Sequence, residues 1–322
     1  MVNNAIDVSI VIVCMNNLKN LYPCLDSIKK YTTVTYETFV VAYLFSKENL
    51  DKLRKDYPWI TIIESNEIRG FSENNNLALR QAKGKYCFVV NDDTEMKMPV
   101  IDVLVKTIEE LPQQVAIVSP TLESPNGKVQ VCGRPYSDWK TIIRTDLHLS
   151  NKKNINKYCN KTGVFQTYNI IGAAFLIKTE IFQKEGFFDE RYFFCPEDIA
   201  LSTKLNKMGY ECYVNNDVKI IHYEGMSGKT FSIIQTATKP AHAKGMVIFY
   251  SEGNKKIYRF LSVYVFFHAL LQFFVHGLIG LIKKRPNKYS ILAIGELNIT
   301  KTILTKATPK EIFIKVFEKI NK

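Results

Sequence analysis

Several protein classes are excluded by what this sequence does not contain. Its seven cysteines (Cys14, Cys24, Cys87, Cys132, Cys159, Cys195 and Cys212) include no Cys-x-x-Cys pair. An odd, dispersed set of thiols argues against a disulfide framework or a zinc site and for a reducing compartment. There is no low-complexity stretch and no internal repeat. The opening MVNNAIDVSIVIVC has no basic segment ahead of its apolar run. That run is too short for a signal peptide, so a cytoplasmic location is expected. The aromatic residues fall in no recognisable RNA- or DNA-binding motif, so nucleic acid is not an expected partner despite a net charge of +12.

What is present is an ordinary globular composition, 46% hydrophobic and 23% charged over 322 residues. Such a chain can bury a large core in one big domain or two smaller ones. The charge is unevenly spread. From Ser251 to Lys322 there are 13 Lys and Arg against 4 Asp and Glu, a net +9 of the total +12. A basic end of this kind suits nucleic acid or an anionic membrane surface, and what accompanies the charge discriminates between them.

The first hundred residues alternate between apolar runs and helical patterns. Val8-Ser9-Ile10-Val11-Ile12-Val13 is rich in β-branched residues and continuous, which predicts a buried strand. Leu18, Leu21, Leu25 and Ile28 have helical spacing over 18–31. Further strands are expected at 39–44, 59–64 and 86–90, with helices at 48–55 and 72–82 between them. This alternation indicates a mostly parallel sheet covered on both faces, with ligands bound at the carboxyl ends of its strands. Beyond Pro99 the pattern predicts a helix at 100–110, a strand at 115–118 and a polar stretch over 123–166 with a turn at Pro125-Asn126-Gly127. A strand at 173–177, a short helix at 179–184, a helix from about 197 to 208 capped by Gly209, and a strand at 218–222 complete the series. No linker-like stretch precedes about residue 245. The expected division is a catalytic domain over 1–245 and a basic, amphipathic helical region over 246–322.

The fourth strand ends in Asn91-Asp92-Asp93-Thr94. Two acids at the end of a buried run must be hydrated, paired or bound to a metal, because an isolated buried carboxylate is very costly. An Asp-rich turn is the plain alternative. Glu197-Asp198 opens a helix, where acids also serve as caps, and His222 closes a strand. Carboxylates and an imidazole together could hold a divalent cation, Mg2+ or Mn2+. Such an ion could neutralise a diphosphate leaving group while a spare carboxylate acts as general base.

Five features occur in one order: VSIVIVCMNN at 8–17, ESNEIRGFSENNNLALRQAKGKY at 64–86, NDDT at 91–94, GAAFLIKTEIFQKEGFFDERYFFCPED at 172–198, and His222, 24 positions after Asp198. With them, roughly residues 7–225 resemble the inverting family 2 glycosyltransferases, which have the GT-A fold. Among these the chain looks most like bacterial rhamnosyltransferases and galactofuranosyltransferases. The resemblance implies an α/β fold of the GT-A, Rossmann-like kind. It implies donor contacts from Cys14 and Asn16 after the first strand, and from Asn66, Gly70, Phe71 and Asn75 in the second motif. NDDT resembles the DxD-type motif, with Asn91 and Asp92 on the donor and Asp93 on the metal. His222 would complete the metal site, and Asp198 would be the catalytic base. Glu197 and Asp189 would orient the acceptor or support that base.

The sequence also departs from the family pattern. The second strand usually ends in an Asp that contacts the base or ribose, and Ala42 and Tyr43 stand there instead. Cys14 and Met15 replace the usual Thr and Tyr, and Ala200 and Lys204 stand where Asp and Arg are frequent. The nucleotide must be gripped differently, but none of these changes removes the expected base or metal ligands.

Residues 260–282 contain no Asp, Glu, Lys or Arg and are long enough to span a bilayer. Tyr264, His268, Gln272, His276 and Gly280 recur every four positions as one polar stripe, with Arg259 before the run and Lys283-Lys284-Arg285 after it. This fits a helix lying in the membrane interface better than one crossing it. Burial in the domain, a homo-oligomer contact and a span are the alternatives. His268 and His276 are not expected to be metal ligands, because no acid lies near them in sequence. The reading that results is a transferase on the inner face of the cell membrane. It would move a sugar, rhamnose by resemblance, from a nucleotide-diphosphate donor to a saccharide on a polyprenyl diphosphate, in surface polysaccharide synthesis. A catalytically weak scaffold of the same fold is the main alternative. A sugar nucleotidyltransferase would need a glycine-rich loop after the first strand, where this chain has Cys14-Met15-Asn16-Asn17.

Overall fold

The structure, a computed structural model, describes residues 5–130, 133–147, 149, 158, 161–223, 233–283 and 287–320. Its first half is the expected alternation: β1 (Val8–Met15), α1 (Leu18–Tyr31), β2 (Tyr36–Tyr43), α2 (Lys47–Asp56), β3 (Thr61–Ser65), α3 (Phe71–Leu79) and β4 (Tyr86–Asn91). It continues through β5 (Thr94–Met96), α4 (Val100–Glu110), β6 (Val115–Glu123), α5 (Lys140–Asp146), β7 (Val164–Thr167), β8 (Ala174–Lys178), α6 (Thr179–Lys184), α7 (Glu197–Lys207) and β9 (Glu211–His222). The nine strands form one sheet in the order β3-β2-β1-β4-β8-β6-β9-β5, with β7 also on β9.

The half formed by β3, β2, β1 and β4 is wholly parallel. In the other half β8 runs antiparallel to β4 and β6, while β6 and β9 are parallel. Side chains alternate across each strand, so Ile10 and Ile12 pack under α1 and α4, and Val11 and Val89 pack under α3 and α7. Both faces are therefore covered, which is why β1 and β4 read as continuous apolar runs.

Two strands were not expected, and a third is much longer than its pattern suggests. β5 is three residues beginning next to the acid cluster, and β7 lies inside the polar stretch. β9 starts at Glu211 rather than 218, because Asn215-Asn216-Asp217 interrupts its apolar pattern. Those residues form an irregularity in the ladder, where Pro120 pairs with Asn215 and the next residue, Thr121, pairs with Lys219. The expected turn at 125–127 is present, with Gly127 at φ 79° and its N–H donating to Ser124.

Four further helices follow: α8 (Gln235–Ser251), α9 (Lys255–Ile282), α10 (Lys288–Thr302) and α11 (Pro309–Ile320). Residue 245, the expected boundary, lies inside α8. Gly245 explains the continuity, since a Cβ there would come 2.8 Å from the Cys195 carbonyl oxygen. A glycine in mid-helix lets α8 press against the segment that carries Glu197 and Asp198. α11 reaches the same region, with the Phe313 ring 4.6 Å from that of Phe193.

α9 alone is long and apolar enough to cross a membrane among the described residues. Its polar stripe is partly buried and turned toward α5 and α10. His268 lies 3.6 Å from Asp146 of α5, and His276 lies 3.8 Å from Glu296 of α10. Tertiary structure thus supplies acids that are distant in sequence, although no metal-type cluster of three such groups occurs among the described residues. Phe260, Val263, Phe267, Leu271, Phe274, Leu278 and Leu281 form the outward face and are exposed. Lys284 and Arg285 lie outside the described residues.

Candidate active site

The carboxyl ends of β1, β2, β3 and β4 define one edge of the sheet, and the acid cluster sits at the end of β4. Asp92 and Asp93 are both buried. β5 then pairs antiparallel with the end of β9, placing Thr94 opposite His222. The Tyr223 N–H donates to the Asp93 carbonyl at 2.9 Å. This pairing brings His222 Nε2 to 3.4 Å from Asp93 Oδ1.

His222 is oriented from behind by Gln130, a residue that nothing in the sequence marks. The Gln130 side-chain amide donates to the His222 carbonyl at 3.0 Å and to Ser124 Oγ at 3.1 Å. Its Oε1 therefore faces His222 Nδ1, at 2.8 Å, and accepts the ring proton. That tautomer leaves the Nε2 lone pair directed at a carboxylate oxygen, so two acceptors face each other. A proton or a metal cation between them resolves the conflict. Metal–ligand bonds of about 2.1 Å that meet at a right angle or somewhat wider separate their ligand atoms by roughly 3.0–3.5 Å. The pair fits a divalent cation, with Gln130 in the orienting role that a carboxylate or carbonyl usually plays for a metal-bound histidine.

Asp92 points the other way. Its carboxyl lies against the Cys14 thiol, and burial pushes its pKa up to about 6; Asp93 adds to the rise and the Cys14 hydrogen bond opposes it. Cys14 itself is fully buried and pushed far up by burial. Asn16 takes a left-handed φ of 50°, which Asn tolerates better than most residues. Its Oδ1 accepts from the Ser46 N–H and the Asn49 amide, so it ties β1 to the start of α2.

The second motif is largely scaffolding. Asn74, Asn75 and Asn76 are buried. Asn74 bonds Ser65 and the Arg69 carbonyl, and Asn75 donates to the Phe71 carbonyl. Asn76 clasps both the N–H and the carbonyl of Phe188. Gly70 is needed for close approach, because a Cβ there would collide with the Phe193 carbonyl oxygen at 2.2 Å. Phe71 donates its N–H to that same oxygen and packs edge-on against Phe188. Asn66 is exposed at the mouth of the loop. Tyr43, at the position of the missing family Asp, is also used locally, accepting the Arg69 N–H at 3.3 Å.

The other acidic pair opens α7. Asp198 is partly exposed, and both oxygens are held: Oδ2 accepts the Gly172 N–H at 3.0 Å and Oδ1 accepts the Ile199 N–H at 2.8 Å. Gly172 allows this approach, since an added Cβ would lie 3.1 Å from that of Asp198. The next residue, Ala173, accepts the Asn91 N–H at 2.9 Å. Consecutive residues ahead of β8 therefore anchor the base candidate and the acid cluster to each other. Glu197 is buried, and its Oε2 has no hydrogen-bond partner among the described residues. Burial, and then the charge of Asp198, push its pKa up. Asp189 is elsewhere engaged. Burial would raise its pKa, but the hydrogen bonds from Arg191 outweigh that and lower it.

This arrangement is that of a GT-A protein: an aspartate and a histidine meet at the end of a parallel sheet, with a partly exposed carboxylate anchored to the neighbouring segment. Glycosyl transferase family 2 matches residues 9–186, and the chain belongs to that family. It is 25% identical over 198 residues to the O-antigen biosynthesis protein RfbC of Myxococcus xanthus, covering 61% of this chain and 15% of that protein. It is 22% identical over 192 residues to an N-acetylglucosaminyl-diphospho-decaprenol L-rhamnosyltransferase of Mycobacterium tuberculosis, covering 54% and 57%. The chain thus spans less than two thirds of either relative. The fold is similar to GalNAc-T7 solved with UDP, GalNAc and Mn2+, with TM-score 0.55, 18% identity, and 69% and 44% of the two chains covered. It is also similar to the mannosyltransferase PcManGT of Pyrobaculum calidifontis solved with GDP-Man and Mn2+, with TM-score 0.51, 16% identity, and 97% and 86% covered.

Proposed function

We propose that the chain transfers a sugar from a nucleoside-diphosphate donor to a hydroxyl of a lipid-linked saccharide, with inversion at the anomeric carbon. The observation that carries this reading is the meeting of Asp93 and His222 at 3.4 Å, tied through residues 172–173 to Asp198. A divalent cation, Mn2+ or Mg2+, would supply charge to stabilise the departing diphosphate. Asp93 and His222 are the residues that would hold it. Asp198 takes the proton of the acceptor hydroxyl as that oxygen bonds to the anomeric carbon and the bond to the diphosphate breaks. Asp198 suits this role better than Glu197 because it is partly exposed and reachable by an acceptor, whereas Glu197 is buried. Glu197 supports the segment from beneath. Gly70, Phe71 and Asn75 shape the donor pocket, with Asn91, Asp92, Cys14, Asn16 and Asn66 around it.

Rhamnose as the sugar and a polyprenyl-diphosphate-linked saccharide as the acceptor follow the name of the mycobacterial relative. Attachment to the inner face of the cell membrane through the exposed face of α9 suits such an acceptor. A panel of nucleotide sugars, assayed for transfer and hydrolysis with Mn2+ and with a chelator, tests the reading. Metal-dependent turnover of one donor supports it. No turnover of any donor, with the folded chain binding no nucleoside diphosphate, would instead favour a scaffold of the same fold.

A further inference from the structure

The outward face of α9 is not uniformly convex. Between α9 and α10 runs a groove of about 370 Å³ walled by Phe273, Phe274, Gly277, Leu278, Ala293 and Ile294. Two glycines line it. An added Cβ at Gly277 would meet nothing within 4 Å, so its missing side chain leaves open space. Gly280 also lines the groove and faces Ser290 of α10, where an added Cβ would make an ordinary contact at 3.4 Å.

Cations stand next to the groove in sequence: Lys283 is two residues beyond Leu281 and Lys288 two before Ser290, both of which line it. Lys283 Nζ lies 4.8 Å and Lys288 Nζ 5.1 Å from the centroid of the same ring, Tyr289. Neither ammonium has a carboxylate within ion-pair distance among the described residues. Cation–π contact gathers two like charges without neutralising them. A narrow apolar slot flanked in sequence by two unneutralised cations is complementary to a hydrocarbon chain that carries a phosphate.

We infer that this groove takes one acyl chain of an anionic phospholipid, with the phosphate on Lys283 and Lys288. The inference rests on membrane attachment through α9 and makes that attachment selective for lipid charge. A second copy of the chain is a poorer occupant. Lys255, Lys256 and Arg259 at the start of α9 and Lys283 at its end are all exposed. Parallel or antiparallel pairing of two such stripes would therefore set like charges opposite each other. The groove lies toward the far end of α9 from the base. Ile257 and Tyr258 share a cluster with Ile199 and Ala200, and residue 278 is about 30 Å further along the helix at 1.5 Å per residue. The bound lipid is thus an anchor rather than the acceptor.

Flotation of the full chain with vesicles of phosphatidylcholine, alone or mixed with phosphatidylglycerol, tests this. The wild-type chain should bind the mixed vesicles more tightly. Gly277→Leu fills the groove while adding exposed apolar surface, so it should weaken binding to mixed vesicles about tenfold with melting unchanged. Lys283→Glu with Lys288→Glu should remove the preference for phosphatidylglycerol. Equal or tighter binding by Gly277→Leu would overturn the groove and leave a plain apolar face. A concentration-dependent dimer abolished by Gly277→Leu in sedimentation would overturn the lipid as occupant. Wild-type chain that ignores all vesicles would overturn membrane attachment as well, while leaving the sugar-transfer reading to its own assay.

Discussion

The imidazole of His222 is fixed before any ligand arrives: its proton goes to Gln130 and its lone pair to the side of Asp93. Gln130→Ala frees the ring to rotate and to exchange tautomers. It should weaken Mn2+ binding about 10- to 100-fold with little change in melting, measured by calorimetric titration of the folded chain; unchanged affinity would remove Gln130 from the site. Asp92 makes a second test, through stability. Its folded pKa of about 6 stands above the unfolded carboxylate value of about 4, so between those pH values the native state binds more protons than the unfolded state. Stability from this group is therefore greatest below about pH 4, falls as pH rises toward 6, and stays low above it. Asp92→Asn should raise the melting temperature at pH 7.5 and lose that advantage near pH 4. A constant offset at both pH values would contradict a buried, strained carboxylate. Asn76 makes a third test. Asn76→Ala leaves the N–H and carbonyl of Phe188 buried without partners, which should cost about 2–4 kcal/mol in denaturant unfolding.

At the scale of elements, α11 braces the loops that flank the site. Lys310 pairs at 2.7 Å with Glu73, whose carboxylate also caps the Gly70 N–H. Phe313 packs on Phe193, whose carbonyl receives the Phe71 N–H. Phe313→Ala should destabilise the chain by about 3 kcal/mol and raise the donor KM more than it lowers kcat, because it slackens the pocket without touching the base. A fall in kcat alone would place the effect elsewhere. The parallel half of the sheet and α1, α4, α6 and α7 were legible in the sequence, since each buries a continuous run or a regular stripe. β5 was not, because Thr94-Glu95-Met96 carries no strand signal of its own and exists only through pairing with β9. Yet that pairing is what joins Asp93 to His222, so the two proposed ligands could be named from the family pattern but not brought together. Gln130 was invisible for a related reason: it acts from a loop in a polar stretch, and its partner lies 92 residues away.

At the scale of the whole molecule, the C-terminal helices are packed into the body that carries the sheet rather than appended to it. α8 crosses residue 245 to reach Cys195, and the polar stripe of α9 meets Asp146 and Glu296. The stripe was legible, but its direction was not, because the acids that receive it come from α5 and α10. The body thereby turns one apolar helix face outward while the sheet edge gathers the Asp93–His222 pair and the Asp198 carboxylate proposed for metal and base. The most direct test of that last claim compares Asp198→Asn with the wild-type chain in two readouts: Mn2+-dependent binding of a nucleoside diphosphate, and sugar transfer from whichever donor the panel identifies. The expected result is unchanged binding with transfer reduced about 10²- to 10⁴-fold. Near-normal transfer by folded Asp198→Asn would contradict the account of this site.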